Sequence, residues 1–556
     1  MSLQAPLAGD YPIPDDTYRV AHAAFPKGNL YLQLRDHFGM LYQDHQFAHL
    51  FAHVGRPALA PARLALVTVF QFIEGVSDRQ AADNVRDRIS WKYALGLPLD
   101  DPGFDFSVLS EFRTRLLHDD AEVLLFDTVL DLVRAAGLLK ARGKQRTDST
   151  HVLAAIRELH RLENVGETLR HALDGLAVEA PRWLRTHADP AWVERYAARI
   201  EQYRLPKTDV ARQALALTIG QDGYRLLEQL YAPGAPAELR ALPAVETLRQ
   251  VWVQQYYRST IPPTPALRWR GRDEQPPSAR LISSPYDAEA RYKTKRDTSW
   301  LGYKVHLTET CDDETPNLIT HVATTPATTD DSLLTGSIHA DLAAKDLLPA
   351  EHYVDMGYTS AAVLVESEHA HGVTVVGPVQ GAPQWQAQTP EGLTAAQFAI
   401  DWEAEQVVCP AGHTSRTWLP YTDRQGQAGI VVQFARATCL ACPLRERCTR
   451  ATATGRQLCL RPQAQHTALQ LARTWQETEE FKAAYARRAG VEGTFTQANR
   501  RCDLRQARYV GLRKVHVQHL LTAIAINLVR VVAWLAEVPR ATTRRSPFAA
   551  LMAQGC

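Results

Sequence analysis

The stretch Gly302–Thr310, GYKVHLTET, alternates apolar and polar residues and is therefore typical of a β-strand. A second strand is predicted over residues 317–324, beyond an acidic turn. A short strand over 352–355, a helix over 359–370 and a further strand over 373–376 follow. Strands followed by alternating helices and strands indicate a mixed sheet with helices packed against it, so this part of the chain is predicted to be α/β.

The chain before this sheet is predicted to be all-helical. Apolar residues recur at helical spacing from Asn29 to about Gly137. Pro61 suits a first helical turn, and Ser77 or Asp78 suits the N-cap of the next helix. A helix-turn-helix and a plain helical bundle both fit this pattern, so the spacing leaves the choice between them open.

Changes in composition divide the 556 residues into parts. The predicted parts are a flexible arm at 1–20, an all-α N-terminal domain at 21–138, α/β core segments at 139–155 and 287–380, a helical insertion at 156–286, a small cysteine-cluster insertion at 381–460, C-terminal core helices at 461–536 and a basic tail at 537–556.

Composition and charge narrow the class of protein. A hydrophobic fraction of 45% and a charged fraction of 22% exclude a mostly disordered chain. The net charge of +1 means that any nucleic-acid surface has to be local. The first residues lack a signal-peptide pattern, and the apolar stretch from Leu520 to Ala536 contains Asn527 and Arg530, which indicates a buried helix. We therefore expect a cytoplasmic protein with no membrane partner.

Three acidic residues form the candidate catalytic set. Asp148 lies in a strand-like run, Asp355 ends a predicted strand, and Glu492 lies in a helical region. Three such carboxylates can hold two Mg²⁺ ions that clamp the oxygens of a phosphodiester. Each Asp also has a structural interpretation, since Asp148 could cap a helix and Asp355 could form a turn.

Tyr485 and Arg488 precede Glu492 at helical spacing. An arginine at that distance can bind a phosphate with two hydrogen bonds while the glutamate holds a metal ion. The alternative is a solvated helix that carries an ordinary i,i+4 Arg–Glu pair.

Three short motifs resemble a known family. The residues TDST at 147–150, YVDMGY at 353–358 and GVEGTFTQ at 490–497 resemble the three DDE boxes of bacterial insertion-sequence transposases, most closely the group numbered eleven-eighty-two. Similar matches are Asp287 with Arg291 and Tyr292, Tyr303–His306, Ala507–Lys514, and Gln518 with Leu521 and Asn527.

The resemblance implies an RNase H-like catalytic core in which Asp148, Asp355 and Glu492 bind two Mg²⁺ or Mn²⁺ ions. Tyr485 and Arg488 match a Tyr-x-x-Arg-x-x-x-Glu signature of these enzymes. This sequence has Asn499 where the signature places a lysine, and we expect the following Arg500 and Arg501 to take over its DNA contact.

Four cysteines lie close together in the insertion at 381–460. Cys409, Cys439, Cys442 and Cys448 form a set that suits tetrahedral Zn²⁺, with His413 as an alternative fourth ligand. Buried free thiols are the other interpretation. A zinc ion here would be structural, because the insertion is expected to be too polar to form its own core.

A basic surface is predicted near the C-terminus. Between Phe481 and Arg530, ten Lys and Arg residues stand against only Glu492 and Asp503. Such a local excess attracts the phosphate backbone of DNA. The residues predicted to contact DNA are Tyr485, Arg488, Arg500, Arg501, Arg505, Arg508 and Lys514.

Together these features predict a transposase that cuts its element's ends and joins them to target DNA. The expected partners are terminal inverted repeats, target DNA and a second copy of the chain, with nucleoid association when DNA is bound. The alternatives are a nuclease without strand transfer and a non-catalytic DNA-binding protein derived from a transposase.

Overall fold

The fold is given by a computed structural model that describes residues 3, 11–118, 120–259, 266–381, 384–423, 426–540, 548 and 551. A helical N-terminal region is followed by a mixed α/β region, as predicted. The N-terminal helices are α1 (Asp15–Ala24), α2 (Leu30–Phe38), α3 (Pro61–Glu74), α4 (Asp78–Asp87), α5 (Ile89–Leu95), α6 (Ser107–Leu116) and α7 (Ala121–Ala135).

The central helix of this region is α3, whose side chains are almost all buried. Pro61 begins this helix, where its missing backbone N–H costs no hydrogen bond because N–H groups of the first turn have no partner within the helix. Gly75 follows the helix in the left-handed conformation. Ser77 caps α4, and its side chain and that of Gln80 each accept the other's backbone N–H. The predicted roles of Pro61 and Ser77 are therefore confirmed.

The predicted flexible arm at 1–20 lies partly outside the described residues. From residue 11 onward it is packed rather than free. Tyr11 is buried and its hydroxyl donates a hydrogen bond to Asp44, while α1 begins at Asp15 and buries Thr17. The arm prediction is therefore wrong for residues 11–20, because short apolar anchors attach this polar segment to the helical domain.

The first strand of the α/β region, β1 (Lys144–Leu153), leads into the helical insertion. The insertion has its own apolar core, which includes Trp192, Trp252 and Tyr256. Its elements are α8 (Arg161–Glu179), α9 (Pro181–His187), α10 (Pro190–Tyr196), α11 (Asp209–Leu230), α12 (Pro243–Gln255), β2 (Tyr256–Ser259) and β3 (Ala266–Trp269).

Strand β1 and five later strands form the main sheet. The later elements of this region are β4 (Arg291–Lys295), β5 (Thr298–Thr310), β6 (Ile319–Pro326), α13 (Thr335–Ala344), β7 (Glu351–Val354), α14 (Ala361–His371) and β8 (Thr374–Val376). The strand order is β4-β5-β1-β7-β8, and β6 also pairs with β5. Strand β1 is antiparallel to β5 and parallel to β7, and β7 is parallel to β8.

The cysteine-cluster insertion is a small unit with its own apolar core, which includes Phe398, Val432 and Phe434. The prediction that it is too polar to form a core is therefore wrong. It contains β9 (Ala399–Asp401), β10 (Gln406–Val408), β11 (Thr417–Thr422), β12 (Ala428–Gln433), α15 (Arg436–Leu440), α16 (Arg445–Cys448) and β13 (Gln457–Leu460).

The C-terminal helices close the α/β region, and most of the predicted tail at 537–556 lies outside the described residues. The helix Leu512–Leu535 is long and apolar enough to cross a membrane, but 83% of its most apolar part is buried inside the protein, so the predicted buried helix is confirmed. These helices are α17 (Gln463–Trp475), α18 (Glu479–Tyr485), α19 (Gly490–Cys502) and α20 (Leu512–Leu535).

Helices cover both faces of the sheet. On β6, Thr324 is hydrogen-bonded to His516 and His519 of α20, whereas His321 is hydrogen-bonded to Asp341 of α13. Positions 321 and 324 point to opposite faces of a strand, so each face has its own helix. Strand β5 is consequently buried at every position from Trp300 to Thr310.

Candidate active site

Asp148 and Asp355 lie side by side at the sheet. Thr147 of β1 is in register with Val354 of β7, and these strands are parallel, so the two acidic residues follow at neighbouring positions about 4.8 Å apart in backbone spacing. Asp148 accepts the backbone N–H of Ser149, and Asp355 accepts that of Met356. Asp148 is therefore a strand residue and not a helix cap, whereas Asp355 does begin a turn.

Arg488 joins Asp148 to Glu492. It lies on a short 3₁₀ helix, Ala486–Ala489, and its guanidinium donates a hydrogen bond to Asp148. The same guanidinium lies 3.6 Å from the carboxylate of Glu492, which lies in the first turn of α19. The predicted i,i+4 pair exists, but Arg488 is only 16% exposed, so it does not belong to a solvated helix.

Tyr485 completes this group of side chains. Its ring stacks on Phe481, with ring centres 5.4 Å apart. Burial raises the pKa of Tyr485. The positive charge of Arg488 lowers this pKa, and the negative charges of Asp355 and Asp148 raise it. Burial also raises the pKa of Asp148, although Arg488 lowers it. Tyr485 and Arg488 thus lie near Asp148 and Asp355, and Glu492 is linked to them through Arg488.

Within the described parts of the chain, no three His, Cys, Asp or Glu side chains form a group that could hold a metal ion. At the acidic site, the Arg488 guanidinium binds Asp148 and Glu492 itself. The Glu492 side chain is 70% exposed, and its carboxylate pairs with this arginine.

A buried ion pair that the sequence interpretation missed lies behind the two aspartates. Lys304 of β5 pairs with Asp331, and their side chains are 7% and 15% exposed. Ser149 follows Asp148 in the chain, and its hydroxyl lies 3.5 Å from Asp331. The only sign in the sequence was Lys304 itself, a lysine inside a strand that proved to be buried on both faces.

A second hydrogen bond supports the segment that carries Asp355. The Tyr358 hydroxyl is hydrogen-bonded to His306 of β5 at 2.6 Å, and both side chains are fully buried. Burial lowers the pKa of His306 to about 3, so this imidazole is neutral near pH 7. Residues of strand β5 therefore support both the segment that carries Asp355 and the segment that carries Asp148.

The predicted DNA contacts divide into two sets. Arg501 donates to the Ile73 carbonyl at 3.1 Å, and Arg508 is half-buried over the ring of Phe72, so both contact the N-terminal helices. Arg505 is exposed and donates to Thr150 at 3.1 Å, close to Asp148 along β1. Arg500 and Lys514 are also exposed.

The four predicted zinc ligands come together at one small cavity. Cys409, Cys439, Cys442 and Cys448 all line it, and so does His413. Burial raises the pKa of Cys448, and the three other thiols add to that shift while Arg456 opposes it. The structure thus brings the cysteines to one place, although within the described residues they form no metal-binding group.

Two sequence families match the chain. A transposase DDE domain matches residues 408–532, which include Glu492, and a transposase domain (DUF772) matches residues 19–115, in the helical N-terminal region. No curated protein matches it significantly. One match lies in the helical N-terminal region and the other in the part of the chain that carries Glu492. Together they support an insertion-sequence DDE transposase.

Proposed function

We propose that this transposase cleaves DNA at the ends of its insertion sequence and transfers the freed strand into target DNA. The observation that carries the proposal is the parallel pairing of β1 and β7, which puts Asp148 beside Asp355. Arg488 links this pair to Glu492 from the opposite side. An acidic group at a sheet, opposed by an arginine, suits phosphoryl transfer.

The side chains fit the metal that this chemistry needs. Asp148, Asp355 and Glu492 offer only carboxylate oxygens, the ligands that Mg²⁺ and Mn²⁺ prefer. Two such ions, when bound, supply charge neutralisation for the attacking and leaving oxygens of a phosphodiester. The mixed sheet with helices on both faces supports an RNase H-like core around them.

The protein's own side chains orient the DNA. Arg488 donates one hydrogen bond to Asp148. It exchanges Asp148 for a phosphate when DNA enters, since a planar guanidinium can bind a phosphate with two hydrogen bonds. Arg505 lies beside β1 and, with the exposed Arg500, holds the next phosphates. Tyr485, fixed by its stacking on Phe481, limits where the strand lies. Catalysis is then mainly positioning of the reacting groups.

The partners follow from the same reaction. The helical N-terminal domain and the exposed basic residues of α19 and α20 bind the terminal inverted repeats. Pairing two element ends requires two copies of the chain, so we expect a homodimer on DNA. The protein acts in the cytoplasm and is nucleoid-associated when DNA is bound. The assignment to the group numbered eleven-eighty-two stays a prediction.

A structural zinc ion is a further part of the proposal. Four thiols at one cavity are the donor set that tetrahedral Zn²⁺ prefers. The small core of this insertion would not be expected to fold stably alone, and zinc binding contributes free energy of folding in such units. Cys409, Cys439, Cys442 and Cys448 would hold the ion, and His413 would lie beside it.

The test uses the full chain and a labelled duplex that carries the terminal repeat bordering its gene, with Mg²⁺ or Mn²⁺. Glu492→Gln and Asp355→Asn keep the shape of the side chains but remove a negative charge. We expect both variants to bind the duplex and to lose cleavage by about 10²-fold or more. Glu480→Gln is the matched control, because Glu480 is exposed on the neighbouring α18.

The outcomes separate the alternatives. Metal-dependent cutting without joining to a second duplex indicates a nuclease without strand transfer. Binding without cutting in the unaltered protein indicates a DNA-binding protein that has lost its chemistry. Equal activity of Glu492→Gln and the unaltered protein would refute the proposed site.

A further inference from the structure

Glu309 is a carboxylate buried completely beneath the acidic site. It lies on β5 in register with Arg146 of β1, so it shares the sheet face of Arg146 and of Asp148, two residues further along. Arg146 donates to one of its oxygens at 2.8 Å and 2.7 Å. Arg530 of α20 and Thr494 of α19 donate to the other, at 2.7 Å and 2.6 Å.

The charge of Glu309 is fully compensated. Burial alone would raise the pKa of Glu309, but the guanidinium groups of Arg530 and Arg146 outweigh it and hold the pKa below its ordinary value. A buried ion group of this kind is often no more stabilising than apolar side chains of the same volume. The contribution of Glu309 is then to fix one arrangement of the groups around it, since Arg146, Arg530 and Thr494 all donate to its two oxygens.

The geometry that it fixes is that of helix α19. The Arg146 guanidinium also donates to the carbonyl of Arg487, just before the helix, at 2.6 Å. Arg530 donates to the Thr494 hydroxyl at 2.6 Å and to the Gln497 side chain at 3.0 Å. These contacts lie on both sides of Glu492 in the chain.

The approach is so close that it requires a glycine. A Cβ atom on Gly490 would lie 2.0 Å from the nearest guanidinium nitrogen of Arg146. Glu492 itself has a side chain that is 70% exposed and that pairs only loosely with Arg488, at 3.6 Å. The backbone of α19, rather than contacts of the carboxylate, therefore sets where Glu492 stands.

We propose that Glu309, together with Arg146 and Arg530, is a positioning site that sets the distance between Glu492 and Asp148. The inference rests on the proposed function, because it assumes that Glu492 is a metal ligand. Glu309 touches neither DNA nor metal and acts through the backbone of α19.

The test compares Glu309→Gln with Glu167→Gln in the full chain. Glu167 is a matched control, since it is 3% exposed and paired to Arg170, but it lies in the separate core of the helical insertion. We measure Mn²⁺ affinity by calorimetry, end cleavage and the melting temperature. Glu309→Gln should weaken Mn²⁺ binding about 10- to 100-fold, as loss of a group that orients a metal ligand does. Glu167→Gln should leave it within about twofold.

A double variant separates positioning from general damage. If Glu309 acts through Glu492, adding Glu309→Gln to Glu492→Gln lowers Mn²⁺ affinity by no more than about a further twofold, because the two effects are not additive. Thr494→Val is a milder variant that removes one hydrogen bond to Glu309 and keeps the ion pairs. It should reduce cleavage several-fold and decides the question if Glu309→Gln does not fold.

Each result has one meaning. Unchanged Mn²⁺ affinity in folded Glu309→Gln, or unchanged cleavage in Thr494→Val, overturns the positioning role while leaving the proposed function intact. Fully additive losses with Glu492→Gln also overturn it. If instead Glu492→Gln binds Mn²⁺ and cleaves like the unaltered protein, the proposed function itself fails.

Discussion

Asn527 closes the open edge of strand β6, and replacing it tests how the sheet is held against α20. Its side chain accepts the backbone N–H of Ile319 and donates to the carbonyl of the same residue, both at 2.8 Å. Asn527 and Ile319 are fully buried. Asn527→Leu removes both hydrogen bonds and leaves a side chain of similar length, so little cavity forms.

The expected loss follows from the two backbone groups that remain. A buried donor or acceptor without a partner costs about 1–3 kcal/mol, so the pair costs about 2–6 kcal/mol. Extra burial of the apolar side chain offsets about 1–2 kcal/mol of this. Taking the middle of each range, the net destabilisation should be about 2.5 kcal/mol. The destabilisation should lower the urea midpoint and speed amide exchange in Ile319–Pro326, the peptide that contains β6.

Asn499→Leu is the control for this substitution. Asn499 is half-buried and accepts a single backbone N–H, that of Arg505, at 3.2 Å. Its replacement should cost about 1 kcal/mol or less and leave exchange in β6 unchanged. If Asn527→Leu is no less stable than Asn499→Leu, Asn527 does not hold the strand edge.

Three further predictions concern other parts of the chain. Gly490→Ala should reduce metal-dependent cleavage at least about tenfold, whereas Gly493→Ala, on the same helix with open space around it, should keep activity and gain up to about 1 kcal/mol of stability. Burial lowers the pKa of His516 to about 4 and that of His519 to about 3, below the unfolded value near 6.5. The unfolded chain therefore binds protons first, so stability is complete above about pH 6.5 and falls on acidification, by about 2 kcal/mol per histidine at pH 5. Urea unfolding at pH 7 and pH 5 measures this, and His516→Gln should reduce the difference; equal midpoints at both pH values would contradict it. Metal analysis should find one Zn²⁺ per chain, and Cys442→Ser should lose it together with protection from proteolysis in residues 398–460; a metal-free chain with the same protection would exclude the zinc proposal.

The sequence predicts the two neighbouring aspartates better than it predicts the residues that contact them. An acidic residue within a strand, such as Asp148, or just after one, such as Asp355, is a local feature of the sequence. Parallel pairing of these two strands was enough to bring Asp148 and Asp355 together. The pairing of Arg488 with Glu492 likewise needs only helical spacing. The contact of Arg488 with Asp148 spans 340 residues of chain, and no local pattern predicts it.

Alternation in β5 predicted a strand but not its surroundings. An alternating strand suggests one buried and one solvated face, yet Lys304, His306 and Glu309 are all buried. The reason is that α13 and α20, distant in the chain, cover opposite faces of the sheet. Polar residues in such a strand have to find partners inside the protein, and they form the ion pairs and hydrogen bonds beneath the acidic site.

Residues that resemble the same family as the predicted catalytic residues therefore need not share their role. In the motif matches, the Tyr303 hydroxyl donates to Asp287 at 2.6 Å, and Gln518 bonds the backbone of Gln506 and Arg508. The side chains of Asp287, Tyr303 and Gln518 are buried. Asp287 also accepts the backbone N–H of Gly511, so Asp287 and Gln518 both hold the connection between α19 and α20. The resemblance marks these positions and the acidic ones equally. Only the partner of each side chain distinguishes them: a group whose hydrogen bonds all go to its own protein is architectural, whereas Glu492, largely exposed beside Asp148, has oxygens left to bind something else.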